Sequence, residues 1–174
     1  MRRFYVYASL SIPLLFVVGL LFVISQNPWF SLTDNALSDM GSLHNPKGYL
    51  FNGFIMLLAT VMFVVSVGMA REGYSYLMPI ASLFLFLVGV FPEEKAPHAP
   101  AAILFYTTAL ADIALVGGKK GKRGWSALAV VTFALMLVLP LLVRGLAIPE
   151  LVGAATITGW FLYLGLMFRG QKRF

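Results

Sequence analysis

A chain of 174 residues that is 60% apolar and 11% charged, with a mean hydropathy of +0.87, is not an ordinary water-soluble domain. It contains no cysteine, which excludes disulfides, thiolate zinc sites and cysteine nucleophiles. Its net charge of +6 would suggest nucleic acid in a soluble protein, but the charges are sorted along this chain, and no nucleic-acid partner is expected.

Six apolar runs follow one another, each near the roughly 17–25 residues that cross a bilayer. The first covers Phe4 to Ser25, with Pro13 near its middle as an expected kink. It resembles a signal peptide after Met1-Arg2-Arg3. However, it is longer than a signal h-region of about 7–15 residues, and no small-x-small site precedes Gln26, so it is expected to be retained.

A connection from Gln26 to Lys47 follows, long enough to expect structure or function of its own. Its middle, Ser31 to Gly41, reads as a short amphipathic helix, with Ser31 or Thr33 as N-cap and Gly41 as its stop. The second run covers Gly48 to Ala70 and the third Tyr74 to Phe91. The fourth covers His98 to Val116 and is expected to end at Gly117-Gly118. The fifth covers Trp125 to Val143, and the sixth begins at Pro149 and reaches Phe168.

Ten of the 13 Lys and Arg residues fall in alternate polar segments: Arg2, Arg3, Arg71, Lys119, Lys120, Lys122, Arg123, Arg169, Lys172 and Arg173. The other segments hold Lys47, Lys95 and Arg144 together with Asp34, Asp39, Glu93, Glu94 and Glu150. Basic residues stay on the cytoplasmic face, so both termini are expected inside and the acidic loops outside. The fold class is therefore an all-α integral membrane protein. It is read as one six-transmembrane-helix bundle over residues 1–174, multi-pass in the cell membrane, with basic residues at anionic headgroups. The lack of Cys and scarcity of Asn and Gln would also suit a thermophile.

Both histidines and five of the seven acidic residues lie in the segments read as external. One group is Asp34, Asn35, Ser38, Asp39, Ser42, His44 and Asn45, with Asn52 just inside the second run. The other is Phe91 to Pro100, where three prolines stiffen a hairpin and Pro97 places His98 at a helix start. There the helix dipole favours a neutral imidazole, able to serve as ligand or base.

His98, Asp39 and Ser38 are the candidate catalytic residues: His98 as base, Asp39 as its orienting partner and Ser38 as nucleophile. His98, His44 and Asp39 are the candidate ligands of a divalent metal such as zinc, although no spacing matches a motif such as His-Glu-x-x-His. Asn35, Ser42, Asn52, Glu93 and Arg144 are candidate ligand-binding residues. Each has an ordinary alternative: solvated loop polarity for the acids and His44, an interhelical bond for Asn52, and snorkelling for Arg144. Asp112 is the one carboxylate well inside a run, with water or a nearby lysine as its expected partner.

The segment Asn35-Ala36-Leu37-Ser38-Asp39-Met40-Gly41, the pair Phe51-Asn52, the pair Phe91-Pro92 and His98 occur in a familiar order. The pattern resembles the six-span bacterial and archaeal membrane family known as domain of unknown function nine-nine-eight, and more distantly the Frag1/DRAM/Sfk1 group. The resemblance implies motif positions at Ser38, Asp39, Gly41, Asn52, Pro92 and His98. It also makes a membrane lipid the expected partner, since some members of the wider group act in lipid remodelling. The ceramidase-type zinc hydrolases are less similar, needing three histidines where this chain has two.

The favoured expectation is an outward-facing polar site that binds or modifies a lipid, with hydrolase or acyl-transfer chemistry if it is an enzyme. The alternatives are a non-enzymatic structural or membrane-organising protein and a small-solute transporter. Enzymatic action would require Asp39 and His98 to meet.

Overall fold

Within hydrocarbon a backbone has no hydrogen-bond partner but itself, so long apolar runs close their own bonds as helices. The computed structural model describes residues 2–170, which contain six α-helices and no strand. They are α1 (Arg2–Gln26), α2 (Gly48–Arg71), α3 (Met78–Val90), α4 (His98–Lys119), α5 (Arg123–Val138) and α6 (Ala147–Gly170). Five are long and apolar enough to cross a membrane, and the chain is a multi-pass membrane protein. The exception, α3, has 13 residues. It is about 20 Å long at 1.5 Å per residue, short of a hydrocarbon core of roughly 30 Å.

Each helix packs on its neighbour in sequence, and α1 packs on α6, so the six close into a ring that an α4–α6 contact narrows. Single polar bonds join the walls, as expected where no hydrophobic force separates helix from lipid. Ser9 Oγ donates to Phe161 O at 2.5 Å, Ser126 Oγ donates to Ala114 O at 2.8 Å, and Thr132 and Thr156 share a bond of 2.8 Å. The helices α2 and α6 are the most buried of the long ones, and α5 is the least.

The charges divide between the two ends of the ring. Arg3, Arg71, Lys119, Lys120, Lys122, Arg123 and Arg169 gather at one, called the basic end below. Lys172 and Arg173 lie outside the described residues. The loops 27–47, 91–97 and 139–146 form the acidic end.

Both turns at the basic end are built alike. Gly73 and Gly121 have φ of 69° each, a left-handed conformation that glycine takes without strain. Tyr74 N then donates to Met69 O at 2.9 Å and Lys122 N to Gly117 O at 2.6 Å, closing the last helical turn. Helix α4 therefore ends at Lys119 and not at Gly117-Gly118. Gly117 instead allows close approach to Ser126, where a Cβ would sit 2.6 Å from Oγ.

Helix α3 starts at Met78 and not at Tyr74, because Asp112 reaches across from α4. Its Oδ1 accepts from Tyr76 N at 2.5 Å and Leu77 N at 2.7 Å, holding residues 75–77 in a turn ahead of the helix. Asp112 is fully buried, and its bonds are with α3's start and not with a described lysine. The nearby lysines lie over aromatic faces, Lys119 Nζ 4.3 Å from the Tyr76 ring centre and Lys120 Nζ 4.3 Å from that of Tyr74.

Candidate functional site

The long connection caps the acidic end. Its helical part is a 3-10 helix, Leu37–Gly41, shorter than the Ser31–Gly41 segment expected from sequence. Local bonds stop it from starting earlier. Ser31 N donates to Asn35 Oδ1 at 2.9 Å, and the hydroxyls of Ser31 and Thr33 donate to Asp34 instead of capping a helix. The carbonyls of Thr33 and Asn35 accept from Gly145 N at 2.8 Å and Ala147 N at 2.9 Å, fastening this stretch to the start of α6.

Leu37, Met40 and Gly41 of the 3-10 helix are buried, and it is tethered on every side. Asn52 Nδ2 of α2 donates to Gly41 O at 2.9 Å. Asn45 Nδ2 bridges Met40 O at 2.7 Å and Asn27 Oδ1 at 2.8 Å, joining it to the end of α1. The Ser42 hydroxyl and Leu43 N donate to Glu94 in the α3–α4 hairpin. From α6, Glu150 Oε2 accepts from Leu37 N at 2.6 Å.

Beneath this cap lies a narrow cavity of about 60 Å³. Its inner walls include Phe51, Ile55, Leu58 and Met62, and its polar residues are Ser38, His98, Tyr106, Glu150 and Thr158. A second space of about 210 Å³ lies between α4, α5 and α6, bordered by Ile103, Leu137 and Leu146. The two share Ala102, Tyr106 and Glu150, so the Glu150 side chain stands where a lipid-facing groove meets the interior.

His98 is the first residue of α4 and only 7% exposed. Its Nδ1 lies 2.6 Å from Phe91 O. A carbonyl only accepts, so Nδ1 carries hydrogen and Nε2 is the ring nitrogen left to meet a ligand. Nε2 makes no hydrogen bond with a described residue. Tyr106 donates its hydroxyl to Glu150 O at 3.1 Å, which leaves the phenol's lone pairs open.

The carboxylates gather above. Asp39 Oδ2 accepts from Ala36 N at 3.0 Å and Asn35 Nδ2 at 3.0 Å. Asp39 and Glu150 thus take consecutive amides, Ala36 and Leu37, which sets the two side chains side by side. Glu93 stands within hydrogen-bonding reach of Asp39. Burial, with the carboxylates of Asp39, Glu94 and Glu150 nearby, pushes Glu93 up to about 7. The Ser42 hydroxyl and the Leu43 amide hold Glu94 down at about 2. The hydroxyls of Ser31 and Thr33 likewise hold Asp34 below its usual range, with a smaller contribution from Arg144.

Of the residues expected to carry chemistry, Ser38 and His98 both line the cavity, while Asp39 bonds to its own loop and makes no bond with His98. No base–orienter pair is assembled. His44 is exposed and lies 4.0 Å from Glu94. His98, His44 and Asp39 do not converge, and no group of three or more His, Asp or Glu is arranged to hold a metal among the described residues. Asn35, Ser42 and Asn52 hold the cap, Glu93 belongs to the carboxylate group, and Arg144 is exposed beside Asp34.

Sequence reading left Glu150 among ordinary loop acids and did not single out Tyr106 or Thr158. The available signals were an acid in the first turn of a span directly after a proline and a hydroxyl-bearing ring inside an apolar run.

The chain belongs to the family described as protein of unknown function (DUF998), which matches residues 11–167. No curated protein and no solved structure matches it.

Proposed function

We propose that this member of the DUF998 family is a lipid-binding protein of the cell membrane. In this reading the acidic end faces outward, both termini are cytoplasmic, and the bound molecule is a lipid or lipid-like amphiphile. One observation carries it: an apolar interior cavity and a lipid-facing groove meet at a polar wall, Tyr106 and Glu150. A ligand with one apolar chain and one polar end fits such a junction. Hydrolysis or acyl transfer is the weaker form of the proposal, because Ser38, His98 and Asp39 lack the mutual bonds that activate a nucleophile. Transport is weaker still, since Ile55, Leu58 and Met62 line the cavity toward the centre of the bundle.

A purely structural role is the competing reading, favoured by the bonds that Ser42, Asn45 and Asn52 make within the cap. Native mass spectrometry from mild detergent separates the two. Ala102 lines both spaces, so Ala102→Trp should abolish a co-purified lipid adduct while the protein stays folded. Absence of an adduct from wild type, or its persistence in the variant, would favour the structural role.

The topology has its own test, made simple by the absence of cysteine. A single cysteine at Thr33 should react with an impermeant maleimide on intact cells, and one at Lys122 should react only after lysis. The reverse pattern would turn the protein over.

A further inference from the structure

The polar wall of this site offers hydrogen-bond acceptors and three acidic groups, Glu150, Asp39 and Glu93, with no ion pair to a described Lys or Arg. Glu150 uses Oε2 for Leu37 N, and its second oxygen has no hydrogen bond with a described residue. His98 is nine-tenths buried against the cavity, and its Nε2 makes no hydrogen bond with a described residue. Ser38 Oγ makes no hydrogen bond with a described residue, and Tyr106 already donates its one hydrogen. Asp39 stands beside Glu150 on the adjoining amide, with Glu93 next to it.

The cations of the acidic end are engaged elsewhere or lie apart. Lys47 Nζ bonds to Gln26, Arg144 lies near Asp34, and Lys95 is exposed in the hairpin. Among the described residues the one ion pair is His44 with Glu94, and it does not involve these three carboxylates. A concave site with apolar walls and a one-signed charge selects a ligand of opposite sign.

We infer that the ligand's polar end is a protonated amine: an alkyl ammonium whose N–H groups meet Glu150, His98 Nε2 and Ser38 while its chain occupies the apolar space. This rests on the amphiphile-binding reading and narrows it. Three donors on one nitrogen suit the separate acceptors, and a carboxylate or phosphate end would face lone pairs and like charge. A quaternary ammonium matches the charge but has no donor for Nε2.

The test uses four probes with the same chain: decylamine, decanol, decanoate and decyltrimethylammonium. Binding to the full chain in zwitterionic nanodiscs is measured by native mass spectrometry, with protein-free nanodiscs subtracted. Decylamine should bind at least tenfold more tightly than any of the others. Glu150→Gln keeps an oxygen for Leu37 N and should erase the preference of decylamine over decanol. Glu93→Gln lies outside the Leu37 tether and should reduce the preference by about threefold, so a folding defect at position 150 leaves the question answerable.

Equal binding of decanol or decanoate, or an undiminished preference in both variants, overturns the amine while the amphiphile reading stands. Equal binding of decyltrimethylammonium overturns the requirement for N–H donors. Failure of every probe to bind overturns both readings.

Discussion

Two carboxylates, one fully buried at the basic end and one half-buried at the acidic end, show how the same group can serve different ends. Asp112 at the basic end directs one oxygen at two amides and so starts α3. Its other oxygen is sealed from solvent, and the Ser75 hydroxyl stands against the carboxylate without closing a bond. Glu150 at the acidic end holds one amide, borders two open spaces and has other carboxylates beside it. The first arrangement is closed and has no room for a ligand. The second leaves acceptors facing a cavity, an arrangement that folding alone does not require.

The largest effect expected is at the closed end. Asp112→Ala leaves two part-buried amides without an acceptor, at roughly 1–3 kcal/mol each, so thermal unfolding in detergent should show a loss of about 3 kcal/mol. Asp112→Asn retains one acceptor oxygen and should lose less than half as much. Glu150→Gln should cost under about 1 kcal/mol by the same measurement, because the amide oxygen still receives Leu37 N. A loss as large as that of Asp112→Ala would make the two ends equivalent and remove the contrast.

An intermediate effect concerns pH. Glu93 is pushed up to about 7 from an ordinary 4.5, so the folded protein holds this proton more tightly than the unfolded chain. Its contribution is fully present below about pH 4.5 and is lost as pH rises toward 7. Melting temperature should therefore fall across that window, and Glu93→Gln should flatten the decline. An unchanged slope in the variant would place the titration elsewhere. Glu94, held at about 2, acts in the opposite sense, and its contribution disappears only as pH drops from about 4.5 toward 2.

A small effect is also expected at Asn52. Replacing it with Ala removes one bond to Gly41 O and should cost about 1 kcal/mol, with amine binding preserved. Loss of binding with little change in stability would instead move Asn52 from the cap into the site.

Much of the architecture was legible because it rests on local pattern. The apolar runs gave six helices, and alternation of Arg and Lys with Asp and Glu divided the ends. Proline spacing placed the start of α4 at His98. What depends on a distant partner was not legible. Asp112 lies 36 residues from Tyr76, and nothing in its own helix marks it as the start of another. The limit of the 3-10 helix was hidden for the same reason, since Gly145 and Ala147 hold the carbonyls that would have extended it. Tyr106 reads as one more aromatic in an apolar run until its hydroxyl is seen on α6.

The tether between Leu37 and Glu150 joins residues 113 positions apart, and this gives the site a place in the order of synthesis. As the chain leaves the ribosome, α1 to α5 are made before Glu150 exists. Over that interval the Leu37 amide lacks its Glu150 acceptor, and Gly145 and Ala147 cannot yet hold Thr33 and Asn35. The cap is therefore among the last parts to settle, and the cavity beneath it acquires its charged wall only when the sixth helix inserts. A chain released before α6 would carry most of the ring but not the Glu150 wall of the cavity.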